Sequence, residues 1–561
     1  MLENFIKYFT QQGSYCKIIG KQNNNEVTQM NLLSSLNISA GALSVNEKAI
    51  SVVSHNVSNM NTEGYHKQRV NLQARNIAGQ IGDNPANQVR ANGGVKIANV
   101  MRYNDDYLNN YYREQLSQRN MLEQQLGNLD ELANIFNDLE GTGIDAALSN
   151  FYEALNNLQQ YPASSTARTN FVETSKTLTS LLNEKSVQLS KLTGEALGDG
   201  SSEDALKNSK IYVQYRELNS SLEELAAVNK ALQTTQTGTL TANNLLDQRD
   251  LILHDIAQFV DITVEESPNG SVTVYTGDQA LVKGAKVVGQ LDIETAKSYC
   301  EKHGIKYPDE WTGENAVLSI VDADGGVIVE NANSVITGGA LGGLIHSATD
   351  YDDGVTNAGT VQASLDKLAS SIASIFNDLN QRENAYCIDP SNTNHLKATY
   401  EGNNLFACYD ENGNETTDGI TAANIKVSDN ILKTDGIWNI SCAYFANGDN
   451  YDENAVGNAQ NVITMIGTRN QKQPELNGMS VEDYYTSMLG KIASANDNAK
   501  SLYETQCDVV DSLENQLDSA YGVDLNEELV DLVKYQTAYA AAAQVFNTVN
   551  SCLNTLMTLG R

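Results

Sequence analysis

The stretch Leu32–Tyr65 reads LLSSLNISAGALSVNEKAISVVSHNVSNMNTEGY. Leu36, Leu43, Ile50 and Val57 recur every seven residues, Leu32 and Val53 lie on the neighbouring row, and polar Ser39 and Asn46 fall between them. An apolar repeat of that period lays one stripe along a helix and predicts a coiled-coil-like seam. The helix is expected to stop within Asn59–Met60–Asn61–Thr62–Glu63–Gly64, because Asn and Gly accept the positive φ of a turn.

The other end of the chain mirrors it. Leu525, Leu529, Leu532, Gln536, Tyr539, Ala543, Phe546, Asn550, Leu553 and Met557 alternate steps of four and three. Gln536 and Asn550 are polar positions inside that seam, where such residues give up stability and fix register and partner number. Ala540–Ala543 would let another helix approach closely. An ordinary core helix would show the same periodicity. The expected assembly interface is therefore Leu36, Leu43, Ile50, Val53 and Val57 on the amino-terminal helix. On the carboxyl-terminal helix it is Leu525, Leu529, Leu532, Gln536, Tyr539, Ala543, Phe546, Asn550 and Leu553.

More helical stripes lie between the ends. Leu122, Leu126, Leu129, Leu132, Phe136 and Leu139 form one, and Phe151, Leu155 and Leu158 another, ending before Pro162. Ile211, Tyr215, Leu218, Leu222, Leu225, Asn229 and Leu232 form a third, and Val361 to Leu379 a fourth, with a long helix expected over Val481–Tyr521. Only Pro162 interrupts Ala86–Ser267, so long helices are permitted there. After Arg249–Asp250 the period shifts to two: Ile262 and Val264 alternate, as do Val272 and Val274, around Pro268–Asn269–Gly270. Val317–Val321 and Val327–Val329 flank Asp324–Gly325. Both are hairpin signals.

The layout predicted is an α+β multidomain chain: a long helical, coiled-coil-like bundle formed by both chain ends and flanking helices, with two β-rich inserted domains. The terminal assembly domain is placed at 30–75 plus 522–561. The helical rod is placed at 76–258, 339–385 and 456–521, and the inserts at 259–338 and 386–455. Residues 1–29 show no periodicity and read as a disordered extension, or as the product of an upstream start, with Met30 then the first residue.

With 561 residues the chain is too long for one hydrophobic core. Seventy acidic against 37 basic residues give a formal net charge of -33, which excludes a basic face for nucleic acid and docking on anionic lipid. No stretch has the ~20 apolar residues that span a bilayer, so membrane insertion is not expected. The start lacks an apolar core and cleavage site, so no cleaved secretory signal is expected either. Seven cysteines, with no C-x-x-C spacing, read as free thiols.

No catalytic constellation emerges. The six histidines are scattered, none within H-E-x-x-H, so no metal site is expected. Asp322–Ala323–Asp324–Gly325 starts like a calcium loop, but Val327 stands where such a loop needs its glycine, and the hairpin reading is preferred. Gly338–Gly343 matches no phosphate-binding pattern. The acid pairs Glu223–Glu224 and Glu527–Glu528 read as solvated helix faces. No enzyme and no cofactor are expected.

Ala40–Leu43, then Asn56–Tyr65 with Asn56, Asn59, Thr62, Gly64 and Tyr65, then Lys67–Val70, resemble the amino-terminal signature of flagellar rod, hook and hook-associated proteins. Gly522–Leu529, Leu532–Gln536 and Ala538–Tyr539 narrow the resemblance to the hook-associated protein 1 family. So do Leu148–Arg168, Leu245–Asp250 and Gly338–Leu344. The resemblance implies a structural subunit in a ring layer at the hook–filament junction. The implied neighbours are other copies of itself, flagellar hook protein and the second hook–filament junction protein. It also implies an extracellular place on the flagellum, export without a cleaved signal, and a cytoplasmic export chaperone at the carboxyl end. The alternatives are another axial protein, hook protein or the second junction protein, or a coiled-coil surface adhesin. Hook protein is expected to be richer in β structure.

Overall fold

The structure, a computed structural model, describes residues 25–76, 92–137, 141–198, 203–304, 316–330, 332, 335–349, 356–410, 412–446 and 451–559. Residues 1–24 of the segment read as an extension lie outside them.

Helix α1, Asn25–Ser58, leads into a two-stranded antiparallel sheet of β1 (Gln68–Asn76) and β2 (Asn92–Arg102). This sheet is absent from the helical reading of 30–75 and 76–258. Its alternation is hidden because a register shift between Asn71 and Leu72 breaks the two-residue period, pairing Asn71 with Asn99 but Leu72 with Ile97.

The helical body follows: α2 (Asp106–Phe136), α3 (Gly143–Gln160), α4 (Ser165–Leu197), the short α5 (Glu203–Lys207), α6 (Lys210–Thr234) and α7 (Leu240–Phe259). Local chemistry sets their starts. The side chains of Asp105, Ser164, Ser209 and Thr239 each accept a hydrogen bond from a first-turn N–H that has no partner within its helix.

Strands β3 (Thr263–Glu266), β4 (Val272–Thr276), β5 (Gln279–Lys283) and β6 (Lys286–Val287) form one antiparallel sheet, with the β3–β4 turn at Pro268–Gly270. A second sheet holds β7 (Gln290–Thr295), β8 (Ala316–Val321) and β9 (Val327–Val329), with helix α8 (Ala296–His303) between β7 and β8. Asp322 Oδ1 accepts from the N–H groups of Asp324 and Gly326 in the β8–β9 turn, so this carboxylate closes a hairpin.

Helix α9 (Gly339–Thr349) explains the glycine-rich run. Gly339 has φ +68°, and a Cβ there would lie 2.2 Å from the carbonyl carbon of Phe259; only glycine lets the two backbones touch. Helix α10 (Ala358–Gln381) starts in a capping box at Asn357 and Thr360. The second β-rich region holds the sheets β11–β10–β15 and β13–β12–β14. Their strands are Ala385–Asp389 (β10), Asn392–Ala398 (β11), Phe406–Tyr409 (β12), Glu415–Thr416 (β13), Lys426–Val427 (β14) and Ala443–Tyr444 (β15), with a short helix α11 (Asp429–Leu432) before β15. Helices α12 (Gln460–Gly467), α13 (Val481–Tyr521) and α14 (Leu525–Leu559) complete the chain.

Two large cores hold the body. One joins α3, α4, α10, α12, the start of α13 and the β12–β14 region. The other joins α6, α7, the β3–β6 and β7–β9 sheets and α9. Arg168 fastens the first. Its fully buried guanidinium donates to Pro162 O (2.7 Å), Ile437 O (3.0 Å), Ile440 O (2.9 Å) and Cys442 Sγ (3.1 Å). Among the described residues the terminal region holds a small apolar cluster: Ala49, Val52, Val70 and Val100, flanked by Ile97, Leu240 and Tyr535.

Candidate assembly site at the meeting of the chain ends

Helix α1 stops where the sequence motif begins. Asn59 Nδ2 donates back to His55 O (2.9 Å), and Gly64, at φ +70°, turns the chain so that Tyr65 returns over the helix. The Tyr65 hydroxyl donates to Asn56 Oδ1 at 2.7 Å. His55 Nδ1 lies 2.9 Å from the same hydroxyl, and since the single phenolic proton is already placed, the ring must donate through Nδ1. Burial, with Asp247 and Glu528 nearby, pushes the Tyr65 phenol well above its usual range and keeps it protonated.

Asn56 is the hub. It is 1% exposed, yet every hydrogen-bonding position of its amide is filled. Oδ1 also accepts from Gln68 N (3.1 Å), while Nδ2 donates to Gln68 O (2.9 Å) and to Glu528 Oε2 (3.0 Å). The amide pairs with the Gln68 backbone as a neighbouring strand would, and through Glu528 it also holds the first turn of α14. Glu528 is 3% exposed, so this half of the Glu527–Glu528 pair is not a solvated face. Lys67 Nζ lies 2.5 Å from Glu527 and 3.5 Å from Glu528. Burial alone would lower the lysine pKa, but these two carboxylates raise it.

Helix α7 closes the other side. Asn243 Nδ2 donates to Gln68 Oε1 (2.9 Å) and Val100 O (3.1 Å). Arg102 bridges Asp247 (2.7 Å) and Asp250 (2.6 Å). Arg249 reaches Asp250 (2.7 Å), Glu266 (3.1 Å) and Gly270 O (2.6 Å), tying the cluster to the β3–β4 turn. Burial alone would raise the Asp250 pKa, but Arg249, Arg102 and Arg113 hold it well below the carboxylate range. One turn on, burial and Arg113 depress the His254 pKa to about 3.

Tyr521, the last residue of α13, completes the joint. Its ring stacks on His66 at 4.6 Å, its hydroxyl exchanges hydrogen bonds with the Asp105 backbone at 3.0 and 3.1 Å, and its carbonyl accepts from Lys67 N at 2.8 Å. Burial pushes its phenol up to about 12.

With Asn56 near the end of α1 bonded to Glu528 at the start of α14, the two packed helices run antiparallel. Val53 is buried, while Leu36, Leu43, Ile50 and Val57 are half-buried. The face of α1 turned to the hairpin belongs instead to Val45, Ala49, Val52 and Asn56. On α14, Leu532, Ala543, Phe546 and Leu553 are half-buried; Leu525, Leu529, Gln536, Tyr539 and Asn550 are exposed. Of the motif, Asn56 is buried, Asn59, Gly64 and Tyr65 half-buried, and Thr62 exposed. Sequence reading missed Glu528, Gln68, Arg102, Asn243 and Tyr521 as parts of the joint. One signal was available: Asn243, Asp247, Asp250 and His254 recur at helical spacing and so form a polar stripe on one face of α7. Among the described residues no group of three or more His, Cys, Asp or Glu side chains is disposed to hold a metal.

The comparisons with known proteins fall on these parts. The family model for the flagellar hook-associated protein FlgK helical domain matches residues 129–385. The model for the flagellar basal body rod FlgEFG protein C-terminal matches residues 517–559, and that for flagella basal body rod protein matches residues 36–66. The last two therefore meet at the joint, one carrying Asn56 and Tyr65, the other Tyr521 and Glu528. A helix pair locked at its base and carried on a helical body, with rod-type sequences at both ends, defines an axial structural protein of the bacterial flagellum.

Flagellar hook-associated protein 1 of Bacillus subtilis is 26% identical over 528 residues, covering 91% of this chain and 95% of that one. The Salmonella typhimurium protein of the same name is 22% identical over 596 residues, covering 94% of this chain and 100% of the other. The solved structure of the flagellar hook junction protein FlgK from Burkholderia pseudomallei shares the fold, with a TM-score of 0.53 at 16% identity, over 73% of this chain and all of that one. Over most of its length the chain is similar to proteins named flagellar hook-associated protein 1, and its central helical region matches the FlgK helical-domain model.

Proposed function

We propose that this chain is the structural subunit of the layer that joins hook to filament, and that filament assembly requires it. The observation that carries this is the apolar surface exposed along α14. Leu525, Leu529, Val530, Val533, Tyr539, Val545, Leu556 and Met557 are all exposed along one helix, and so many uncovered large apolar side chains call for a partner. Copies of the same chain around a ring would bury it. Hook protein below and the second junction protein above are the neighbours of that layer. The role is structural rather than catalytic. A helix content of 62% favours this reading over hook protein, which the resemblance makes richer in β structure.

Export without a cleaved signal belongs to the same proposal, with a cytoplasmic chaperone covering the carboxyl-terminal segment beforehand. No helix among the described residues is long and apolar enough to cross a membrane. The test is electron microscopy of cells lacking the gene, with an assay for flagellin in the medium and immunogold labelling of the protein in wild-type cells. Bare hooks, secreted flagellin and label next to the hook are expected. Absent hooks would move the protein down to the rod or hook; normal filaments would overturn the proposal.

A further inference from the structure

The second β-rich region leaves the helical body through β10 and returns through β15. These strands pair antiparallel, Ala385 with Tyr444 and Tyr386 with Ala443. The ladder ends there, with Ser441 N donating to Asn380 Oδ1 (2.7 Å), and the residues one step beyond the last pair are Cys387 on β10 and Cys442 at the entry to β15. The Phe445 N–H bond to Asn384 O (3.1 Å) fixes the phase of the ladder, whose continuation would make 387/442 a non-hydrogen-bonded position. Opposed Cα atoms at such positions lie ~4.5 Å apart with side chains on the same face, within the roughly 4.4–6.8 Å that a disulfide spans. Both thiols are buried. Arg168 Nη2 donates to Cys442 Sγ at 3.1 Å, and the same guanidinium acts on Cys387. The Cys387 thiol donates to Lys397 O at 3.6 Å.

We infer that Cys387 and Cys442 are a latent disulfide site at the neck of the second β-rich region, reduced where the chain is made and closed where it folds in an oxidising medium. The inference does not depend on the hook–filament junction reading, because it needs only that medium. In the reaction two S–H bonds break and one S–S bond forms; two electrons and two protons pass to the oxidant. With diamide as oxidant, its azo group becomes a hydrazine. The bridge would close a long loop, Cys387 to Cys442, at the point where the region joins the body beside Arg168. Closing long loops restricts the unfolded chain most. Burial pushes both thiol pKa values up, so the thiolate is scarce once the chain has folded, and oxidation is expected mainly during folding.

The test uses the full chain, reduced, unfolded in guanidinium chloride, and refolded either with diamide or with dithiothreitol. Remaining thiols are blocked and peptides mapped without reduction. Expected with diamide is a Cys387–Cys442 peptide as the main linked product, absent from Cys442→Ser and from Cys387→Ala. A rise in thermal midpoint of roughly 5 °C or more, reversed by dithiothreitol, should accompany it. Recovery of both cysteines blocked, or of either linked to another cysteine, would overturn the assignment. The linked peptide without a thermal shift would overturn the stapling role.

Discussion

The helical body and the terminal pair are both built from long helices, yet different forces hold them. In the body, Phe151 touches the rings of Phe171, Phe376 and Phe406 at centroid distances of 5.2, 4.9 and 6.3 Å, and apolar side chains fill both cores. In the terminal pair the apolar cluster is small, and the helices are located by hydrogen bonds and ion pairs at one end. Apolar burial supplies most of the free energy of folding and is indifferent to direction, whereas a satisfied polar network specifies geometry. The body is therefore equipped to fold by itself. The terminal pair is equipped to be placed, and leaves apolar surface for other copies to cover.

Hydrogen exchange on the monomer probes that contrast most directly. Amides of Leu529–Leu553 should exchange on the order of 100-fold faster, or more, than those of Leu148–Leu158, because local opening costs less where few apolar contacts are lost. Equal protection would break the comparison. Next in size is Phe151→Ala, expected to cost about 3–5 kcal/mol in denaturant unfolding of the body. A cost below about 1 kcal/mol would mean that this ring cluster does not organise the core.

Arg102→Met tests the joint. It leaves Asp247 and Asp250 buried without their shared partner, and a cost of about 3 kcal/mol is expected. Faster exchange should appear at α7 and the start of α14, with α3 and α4 unchanged. A uniform loss of protection would show that joint and body form one cooperative unit.

Acid should act on the same place with a smaller effect. The folded pKa of His254, about 3, lies below the ~6.5 of an unfolded histidine, so between these values the unfolded state binds more protons. The stability His254 contributes is fully present above pH ~6.5 and falls as pH drops toward its folded value, by roughly 1–2 kcal/mol between pH 7 and 5. Arg113, Asp250, His66, Arg102 and the edge of Tyr112 face it. His254→Gln should flatten that slope, and an unchanged slope would assign it elsewhere. Asp250 adds a further loss only below about pH 4, as its own depressed pKa requires.

The smallest stability effect carries the sharpest functional readout. Leu529, 47% exposed, should tolerate Asp with a change within about 0.5 kcal/mol in the monomer, while incorporation next to the hook is lost. Normal incorporation would remove Leu529 from the assembly surface.

Much of the architecture was legible because helices announce themselves by period. The expected helix over Val481–Tyr521 matches α13, and both turn-flanked hairpins formed where alternation met Pro268–Gly270 and Asp324–Gly325. The β1–β2 sheet was not legible, since its register shift breaks the period on which the reading depends. At the joint, sequence similarity pointed to Asn56 and Tyr65 but not to what they bind. The partner of Asn56, Glu528, lies 472 positions away in an acidic pair that looks solvated.

By itself the sequence determined most of the long helices, both turn-flanked hairpins, and that the two ends carry amphipathic stripes. Those are local properties, set by backbone geometry and by side-chain spacing along one element. Only the tertiary structure decided which stripe is covered within the chain and which remains open, that Asn56 reads a strand and a distant helix at once, and that Cys387 and Cys442 flank the last pair of β10 with β15. Burial and pairing depend on what other segments bring to a side chain, and no periodicity within one segment encodes the identity of its neighbour.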